Sequence, residues 1–386
     1  MIHFAFTTIS ITLCIILFAT LYHRFVRSIQ NPKWKKIFQI FLFLLFTGMA
    51  IVPLFRRHTP SFLPLQWQQH ILALYFLLLG FMSFIMTYLF LAFIAEKIYY
   101  FVRKIIGKPV ETTRRVWLTH VFNFAILSLS GVSTIVGMII CAQRPDIYNV
   151  TIPFKKMPDD LKNFKIVQIS DLHIDGLASR EWLQDVVDRV NAMRPSLVAI
   201  TGDLIDAPLA QSSGTIELIS KLQSTYGTYF VTGNHEYYSG PEEWIPYFKK
   251  LGLKVLENEN VLLQIGKSTI MIAGVPDQAF PIKPDPQRAI TNPQGKADLS
   301  ILLAHRPQSC FDAVKAGFNL QLSGHSHAGQ FFPWTFVVKF IQPYVKGLHN
   351  LEGMWIYVNQ GTGFWGPPIR LGTHSEITQI HFDHEQ

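Results

Sequence analysis

The chain has 386 residues, of which 49% are hydrophobic and only 16% charged, and its formal net charge is +8. An ordinary soluble domain carries about a quarter charged residues, so part of this chain is not built for water, and disorder as the dominant state is excluded. The charge is uneven: residues 1–145 hold 14 Lys/Arg against two acids, Glu96 and Glu111, whereas residues 146–386 hold 20 against 24. The basic residues of the first part fall between long apolar runs rather than on a folded patch. That pattern excludes a nucleic-acid footprint and indicates a membrane.

Four apolar stretches, at about residues 4–22, 37–55, 71–95 and 116–141, contain no Asp, Glu, Lys or Arg. Each approaches or exceeds the roughly 20 residues a helix needs to cross the hydrocarbon core, so hydropathy predicts four transmembrane helices. The first lacks the basic leader and small-residue cleavage site of a signal peptide and reads as an uncleaved anchor. The loop after it carries Arg24, Arg27, Lys33, Lys35 and Lys36, the next only Arg56 and Arg57, and the third Lys97, Arg103, Lys104, Lys108, Arg114 and Arg115. This bias assigns the first and third loops to the cytoplasm. An even number of spans then places everything after Cys141 outside the cytoplasm, in an integral, multi-pass cell-membrane protein. His120 and Asn123 are the more polar residues of the fourth span, and an interhelical hydrogen bond accounts for such groups better than an ion path. No span holds the ionisable side chains expected of a pump, which argues against a transporter. Cys14, Cys141 and Cys310 form no C-x-x-C pattern.

Residues 1–145 are therefore expected to be a transmembrane module, residues 146–162, punctuated by Pro153 and Pro158, a linker, and residues 163–386 a separate domain. In that domain short apolar strands are expected at 165–169, 197–201, 229–232, 299–303 and 320–323. Each runs into a polar cluster: Ser170-Asp171-Leu172-His173, Gly202-Asp203-Leu204-Ile205-Asp206, Gly233-Asn234-His235-Glu236, Ala304-His305 and Gly324-His325-Ser326-His327. Helical patterns lie at about 180–193, 215–223, 242–251 and 311–316. Strand, loop and helix in alternation predict an α/β layered domain, with its ligand site beyond the carboxyl ends of the strands, where these clusters fall.

Together the clusters supply Asp171, His173, Asp203, Asn234, His235, His305, His325 and His327. Carboxylate, imidazole and amide without thiolate suit a divalent metal such as Mn, Fe or Zn. The donors exceed what one ion needs, so two ions with one bridging carboxylate are the natural reading, and such a pair clamps a phosphoryl group and lowers the pKa of a bound water. Singly each motif is weak, since Asp-x-His and Gly-Asp arise often by chance. Their force lies in five occurring in one chain, each directly after an expected strand. The remaining histidines, among them His349, His374, His381 and His384, lie outside such contexts and read as structural or exposed.

This set resembles the calcineurin-like metallophosphoesterase superfamily over roughly residues 163–382, and in particular its membrane-associated bacterial phosphohydrolases. In these the last motif continues as in Gly324 through Ala328-Gly329-Gln330, and a late segment resembles Gly361-Thr362-Gly363 and Pro368-Ile369-Arg370. The resemblance implies a four-layer αββα sandwich, here preceded by the four-helix transmembrane module. It implies that Asp171, His173 and His327 hold the first metal, Asn234, His305 and His325 the second, and that Asp203 bridges both. His235 would then be catalytic rather than a ligand, contacting phosphoryl oxygens and assisting leaving-group protonation. Glu236 is expected to orient His235 or a nearby amide, and Asp206 and Asp175 to stand behind the ligands or in solvent rather than act in catalysis. Arg370 is a candidate substrate contact, because guanidinium pairs bidentately with phosphate, and a structural salt bridge accounts for it equally well.

The expected activity is metal-dependent hydrolysis of phosphoester or pyrophosphate bonds by a metal-bridging hydroxide, as a phosphatase or phosphodiesterase. The aromatic run Phe331-Phe332-Pro333-Trp334-Thr335-Phe336 through Ile341, and Phe364-Trp365, read either as packing into the sandwich or as an apolar rim beside the metals. The rim would favour a lipid-linked phosphoester substrate. Two alternatives stay open: a UDP-diacylglucosamine-type pyrophosphatase, which needs a cytoplasmic active site, and a non-catalytic phosphoryl-binding membrane receptor.

Overall fold

A computed structural model describes residues 12, 15–27, 29–55, 65–108, 111–174, 178–279, 281–291, 295 and 297–384. The chain divides into two compact units, Met1–Val136 and Gly137–Gln386. Most of the first expected span, together with Arg56, Arg57 and Asp175, lies outside the described residues.

The first unit is helical: α1 (Ile15–Val26), α2 (Pro32–Phe55), α3 (Leu65–Ile105) and α4 (Thr112–Cys141), whose last turn belongs to the second unit. Asn31 starts α2 by accepting from the amides of Lys33 and Trp34 (3.0 and 3.3 Å), and Pro32 follows at the first helical position, where its missing N–H is not needed. Two helices, Trp67–Ile105 and Thr113–Cys141, are long and apolar enough to cross a membrane. Against four expected spans, two are met by length and composition among the described residues. The unit packs Leu21 and Val26 with Leu42, Phe46, Met82, Ile85, Leu89 and Ile126. Beside this core, Arg24 donates to Glu96 Oε1 (2.5 Å) and to Asn123 Oδ1 (2.7 Å), so Asn123 does make an interhelical hydrogen bond.

The second unit is built from β1 (Asp146–Phe154), β2 (Ile166–Ile169), α5 (Arg180–Ala192), β3 (Leu197–Ile200), α6 (Leu209–Ile216), β4 (Thr228–Phe230), α7 (Asn234–Ser239), α8 (Pro241–Lys250), β5 (Lys254–Val255), β6 (Glu259–Ile265), β7 (Ser268–Gly274), α9 (Pro286–Ile290), β8 (Leu299–Leu303), α10 (Cys310–Ala316), β9 (Leu320–Ser323), α11 (Trp334–Val337), β10 (Gly347–Leu351), β11 (Met354–Val358) and β12 (Glu376–His384). They form two six-stranded sheets, ordered β1-β12-β2-β3-β4-β5 and β10-β11-β9-β8-β7-β6. Strands β2 to β5 run parallel, as do β7, β8, β9 and β11.

Successive side chains of a strand face opposite ways, and here both ways are buried. Ile166, Ala199 and Tyr229 of the first sheet meet Ile272, Ile301 and Leu322 of the second between the sheets. Val167, Val198, Ile200 and Phe230 turn outward onto Leu183, Val186 and Val190 of α5 and Trp244 and Phe248 of α8. Met271, Ala273 and Leu302 cover the other face with Ala289, Cys310 and Ala313. Helix, sheet, sheet and helix thus stack as four layers. Strands buried on two faces read as continuous apolar runs, which is why these five were visible as strands.

Residues 146–162 are not simply a linker: nine of them form β1, paired in parallel with β12 from Asp146↔Glu376 to Phe154↔His384. Pro153 is tolerated within it because β1 is an edge strand, where a missing N–H is harmless. The helix expected over 215–223 is instead the end of α6 followed by a 3₁₀ segment, Glu217–Lys221. The aromatic run after His327 forms α11 and a 3₁₀ turn, Val338–Phe340.

Candidate metal centre

Each polar cluster follows the carboxyl end of a buried strand: Asp171 and His173 follow β2, Asp203 β3, Asn234 and His235 β4, His305 β8, and His325 and His327 β9. The first three loops come from one sheet and the last two from the other, and hydrogen bonds tie them together. The Asp171 amide donates to Gly202 O (3.0 Å), the His173 amide to Asp203 O (3.1 Å) and the Gly324 amide to His305 O (3.0 Å). Beneath them, Gln168 Nε2 donates to Thr201 Oγ1 and Ser323 O, both 2.9 Å away, joining the two sheets.

The backbone here is strained. Asp171, His173, Asp203, His325 and His327 all have φ between 46° and 71°, a region that costs a non-glycine residue on the order of 1–3 kcal/mol and persists only where the surroundings enforce it. Two glycines allow the crowding. A Cβ on Gly324 would overlap Ser170 Oγ and Asp171 Oδ2, and one on Gly233 would overlap Asp203 Oδ1. The Gly before the Asn234 and His325 motifs is therefore a requirement of close approach.

Seven side chains converge as three overlapping groups: Asp171, His173 and His327; His173, Asp203 and His235; Asp203, His305 and His325. Asp203 belongs to two, with Oδ2 at 3.1 Å from His305 Nε2 and 3.8 Å from His173 Nε2. His173 Nε2 faces His327 Nε2 at 3.0 Å, and His305 Nε2 faces His325 Nδ1 at 3.1 Å. The far nitrogens are committed elsewhere: His173 Nδ1 lies 2.9 Å from Asp206 Oδ1, and His305 Nδ1 lies 2.8 Å from Thr201 O. A ring that donates through Nδ1 offers its Nε2 lone pair inward. Asn234 opens α7 at the same edge, and the His235 amide donates to Asp203 Oδ1 (2.9 Å).

The electrostatics match these contacts. Burial opposes charge on His173, but Asp206, Asp203 and Asp171 more than offset it and raise His173 to about 9. His305 is likewise raised to about 10, chiefly by Asp203 against burial. Burial, reinforced by neighbouring cations, holds His325 and His327 well below the ordinary imidazole range. Burial raises Asp171 from its ordinary value, with the Asp203 charge adding to it, whereas the surrounding imidazoles outweigh burial and keep Asp203 well below the ordinary carboxylate value. A compact set of carboxylates is balanced by two imidazolium protons. Facing ring nitrogens around a shared carboxylate fit divalent cations better than they fit each other, and the N/O donor set suits Mn, Fe or Zn.

His235 stands at the mouth. Its Nδ1 is hydrogen-bonded to Asp206 Oδ1, and its ring lies edge-on to Tyr238 (5.3 Å) and Trp365 (5.8 Å). Asp206 thus holds both His173 and His235, a double role that its place three residues after Asp203 did not reveal. Glu236 accepts from the amides of Asp203, Leu204 and Gly233 (3.1, 2.7 and 2.6 Å), orienting the Asp203 loop rather than His235. Arg306, next to His305, was missed. Its Nε donates to Asp277 Oδ2 (2.6 Å) and its Nη2 to Asn234 Oδ1 (3.4 Å).

Arg370 is not where a substrate contact should be. It is fully buried and donates to the carbonyls of Gln360, Gly361, Gly363 and His374 at 2.6–3.1 Å. Its guanidinium is committed to the chain's own backbone, bracing the 360–363 turn whose Thr362 and Gly363 amides donate to Ser170 O and Asp171 O (2.7 and 3.0 Å).

A profile of the calcineurin-like phosphoesterase family matches residues 164–329, the span that carries all the candidate ligands. An uncharacterised metallophosphoesterase of Campylobacter jejuni is 32% identical over 368 residues, covering 94% of this chain and 93% of that protein. The chain belongs to the calcineurin-like phosphoesterase family. Among other metallophosphoesterases, a Danio rerio protein named as a transmembrane protein with metallophosphoesterase domain is 33% identical over 267 residues, 66% of this chain and 61% of that protein. An uncharacterised metallophosphoesterase of Helicobacter pylori is 35% identical over 242 residues, 61% of this chain and 64% of that protein. The chain thus spans under two thirds of the length of some of these relatives. Two apolar helices and a relative so named point to membrane association.

Proposed function

We propose that this metallophosphoesterase is a membrane-anchored, two-cation phosphoester hydrolase. The observation that carries the reading is the pair of facing imidazole contacts, His173 with His327 and His305 with His325, on either side of the shared Asp203. Asp171, His173 and His327 would hold one cation, Asn234, His305 and His325 the other, and Asp203 both. When bound, two divalent cations supply an activated water and neutralise charge on the phosphoryl oxygens.

The chain's own residues do the rest. Asp206 and the Thr201 carbonyl fix the tautomers of His173 and His305, keeping Nε2 directed inward. Asp206 also engages His235 Nδ1, which leaves Nε2 to donate a hydrogen bond to a phosphoryl oxygen and a proton to the departing oxygen. Arg306, partly buried and paired with Asp277, donates to Asn234 Oδ1 and so positions that amide at the same edge. Arg370 acts as a brace.

The four-span module, the extracytoplasmic placement of the domain and a lipid-linked phosphoester substrate complete the proposal. They rest on the basic-residue bias of the loops and on the aromatic rings of Tyr238 and Trp365 beside His235. Hydrolysis of p-nitrophenyl phosphate mono- and diesters by the purified full chain with Mn, Fe, Zn or Mg tests the chemistry; no turnover with any of these would refute it. External protease on intact cells tests the placement: cleavage at a C-terminal tag is expected, and full protection would put the active site in the cytoplasm.

A further inference from the structure

The second unit exposes few large apolar side chains, and they are not scattered. Of twelve such residues described between Gly137 and the C-terminus, five are Trp334, Phe336, Val337, Phe340 and Ile341, on α11 and the turn after it, with Phe340 90% exposed. Two more, Met138 and Ile139, lie in the last turn of α4, the end of a helix apolar enough to span a membrane. These two groups are joined by consecutive amides. Arg370 N donates to Gly137 O (2.9 Å) and Leu371 N to Gln330 O (3.1 Å), while Phe332 N donates back to Leu371 O (3.2 Å). The root of the knob is tightly packed, since a Cβ on Gly329 would overlap the Trp334 carbonyl.

We propose that this knob docks into the interface of the same bilayer in which α4 ends. Its continuity with the last turn of α4 identifies the occupant as lipid. Its chemistry agrees: Trp suits the headgroup boundary, Phe and Ile suit the acyl region, and Lys339, 5.5 Å over the Phe336 ring, can extend its ammonium to anionic headgroups. The knob follows directly on the His325 and His327 loop, and Gln330 at its root also holds the rim of the site, donating to Trp365 O (3.1 Å) and accepting from Trp365 N (2.9 Å). Docking would therefore bring the mouth at His235 to the lipid surface. This consequence for the substrate rests on the phosphohydrolase reading above; the docking itself does not.

The test uses the full chain in nanodiscs of phosphatidylethanolamine and phosphatidylglycerol, in a background with Cys14, Cys141 and Cys310 replaced by alanine. A fluorophore on Phe340→Cys should be quenched by spin-labelled lipid at least about threefold more than one on Glu352→Cys at the exposed β10–β11 turn. Equal quenching overturns the proposal, as does shielding of residue 340 from aqueous iodide without lipid quenching, which would mean that a second copy covers the face. If the cysteine-free background misfolds, hydrogen exchange of residues 331–341 in wild-type chain replaces the fluorophore, with slower exchange in nanodiscs than in detergent expected. The Phe336→Ser/Phe340→Ser variant should lose about tenfold in turnover of hexadecyl p-nitrophenyl phosphate in the disc while keeping wild-type turnover of the methyl ester. Equal retention of both contradicts the docking. Absence of both in wild type defeats the phosphohydrolase reading and leaves the docking to be decided by the quenching.

Discussion

Two polar clusters lie in otherwise apolar surroundings, one in each unit, and they are built on opposite principles. In the helical unit the Arg24 guanidinium meets the Glu96 carboxylate and the Asn123 amide; donors match acceptors and opposite charges cancel. In the sandwich, imidazole nitrogens face each other and carboxylates crowd on strained backbone. The first cluster is complete as it stands. The second leaves imidazole nitrogens facing one another, a donor set that on the proposed reading two cations complete. The difference in pairing separates a structural tie from a candidate reactive site: the first cluster is partly exposed and self-satisfied, the second buried and crowded with like groups.

The largest expected effect breaks the second cluster at its shared member. Asp203→Asn should lower kcat by at least about 10³-fold and leave fewer than two metals per chain by elemental analysis; retained metal with full turnover would remove Asp203 from the centre. His235→Ala should lower kcat by about 10²- to 10³-fold with metal content unchanged, so that turnover and stoichiometry separate in one variant. Asp206→Asn loosens the support behind both His173 and His235 and should weaken metal affinity by about 10- to 100-fold, read by competition with a chelating dye.

With His173 raised to about 9 and His305 to about 10, both are charged at pH 7 in the metal-free protein, and a cation must displace their protons. Loading at pH 7 should release about two protons per chain, measured by calorimetry in buffers of different ionisation enthalpy, and affinity should fall as the pH is lowered. For the metal-free fold the sign is the reverse: the raised imidazoles stabilise it fully below their ordinary pKa of 6.5, and that contribution is lost as pH rises through about 9 to 10. The smallest effect belongs to the closed cluster. Glu96→Gln should leave turnover intact and lower stability by about 1 kcal/mol, because the pair is partly exposed, seen as a modest fall in Tm in detergent.

How much of this was legible follows from where each residue sits. Asp171, Asp203, Asn234, His305 and His325 could be found because each follows directly on a strand buried on both faces, where an apolar run ends abruptly in polar residues. The strands β6, β7, β10 and β11 show no such ending and were not anticipated. Pro153 concealed β1, since a proline reads as a break unless the strand's edge position is known. Arg370 misled for a related reason: a sequence shows a guanidinium but not the carbonyls that surround it. Asp206 and Arg306 are the converse, since their partners, His235 and Asn234, lie about thirty and seventy residues away along the chain. Adjacency to Asp203 and His305 was the one signal available.

On the proposed reading, two cations complete the sandwich, which hydrolyses phosphoesters only with them. The direct test is to strip the purified full chain with chelator, restore Mn, Fe or Zn in steps, and follow metal content and turnover of a p-nitrophenyl phosphodiester together. Turnover should be absent in the stripped protein and reach its maximum at two metals per chain. Full activity without metal, or saturation with no more than one, would contradict the claim.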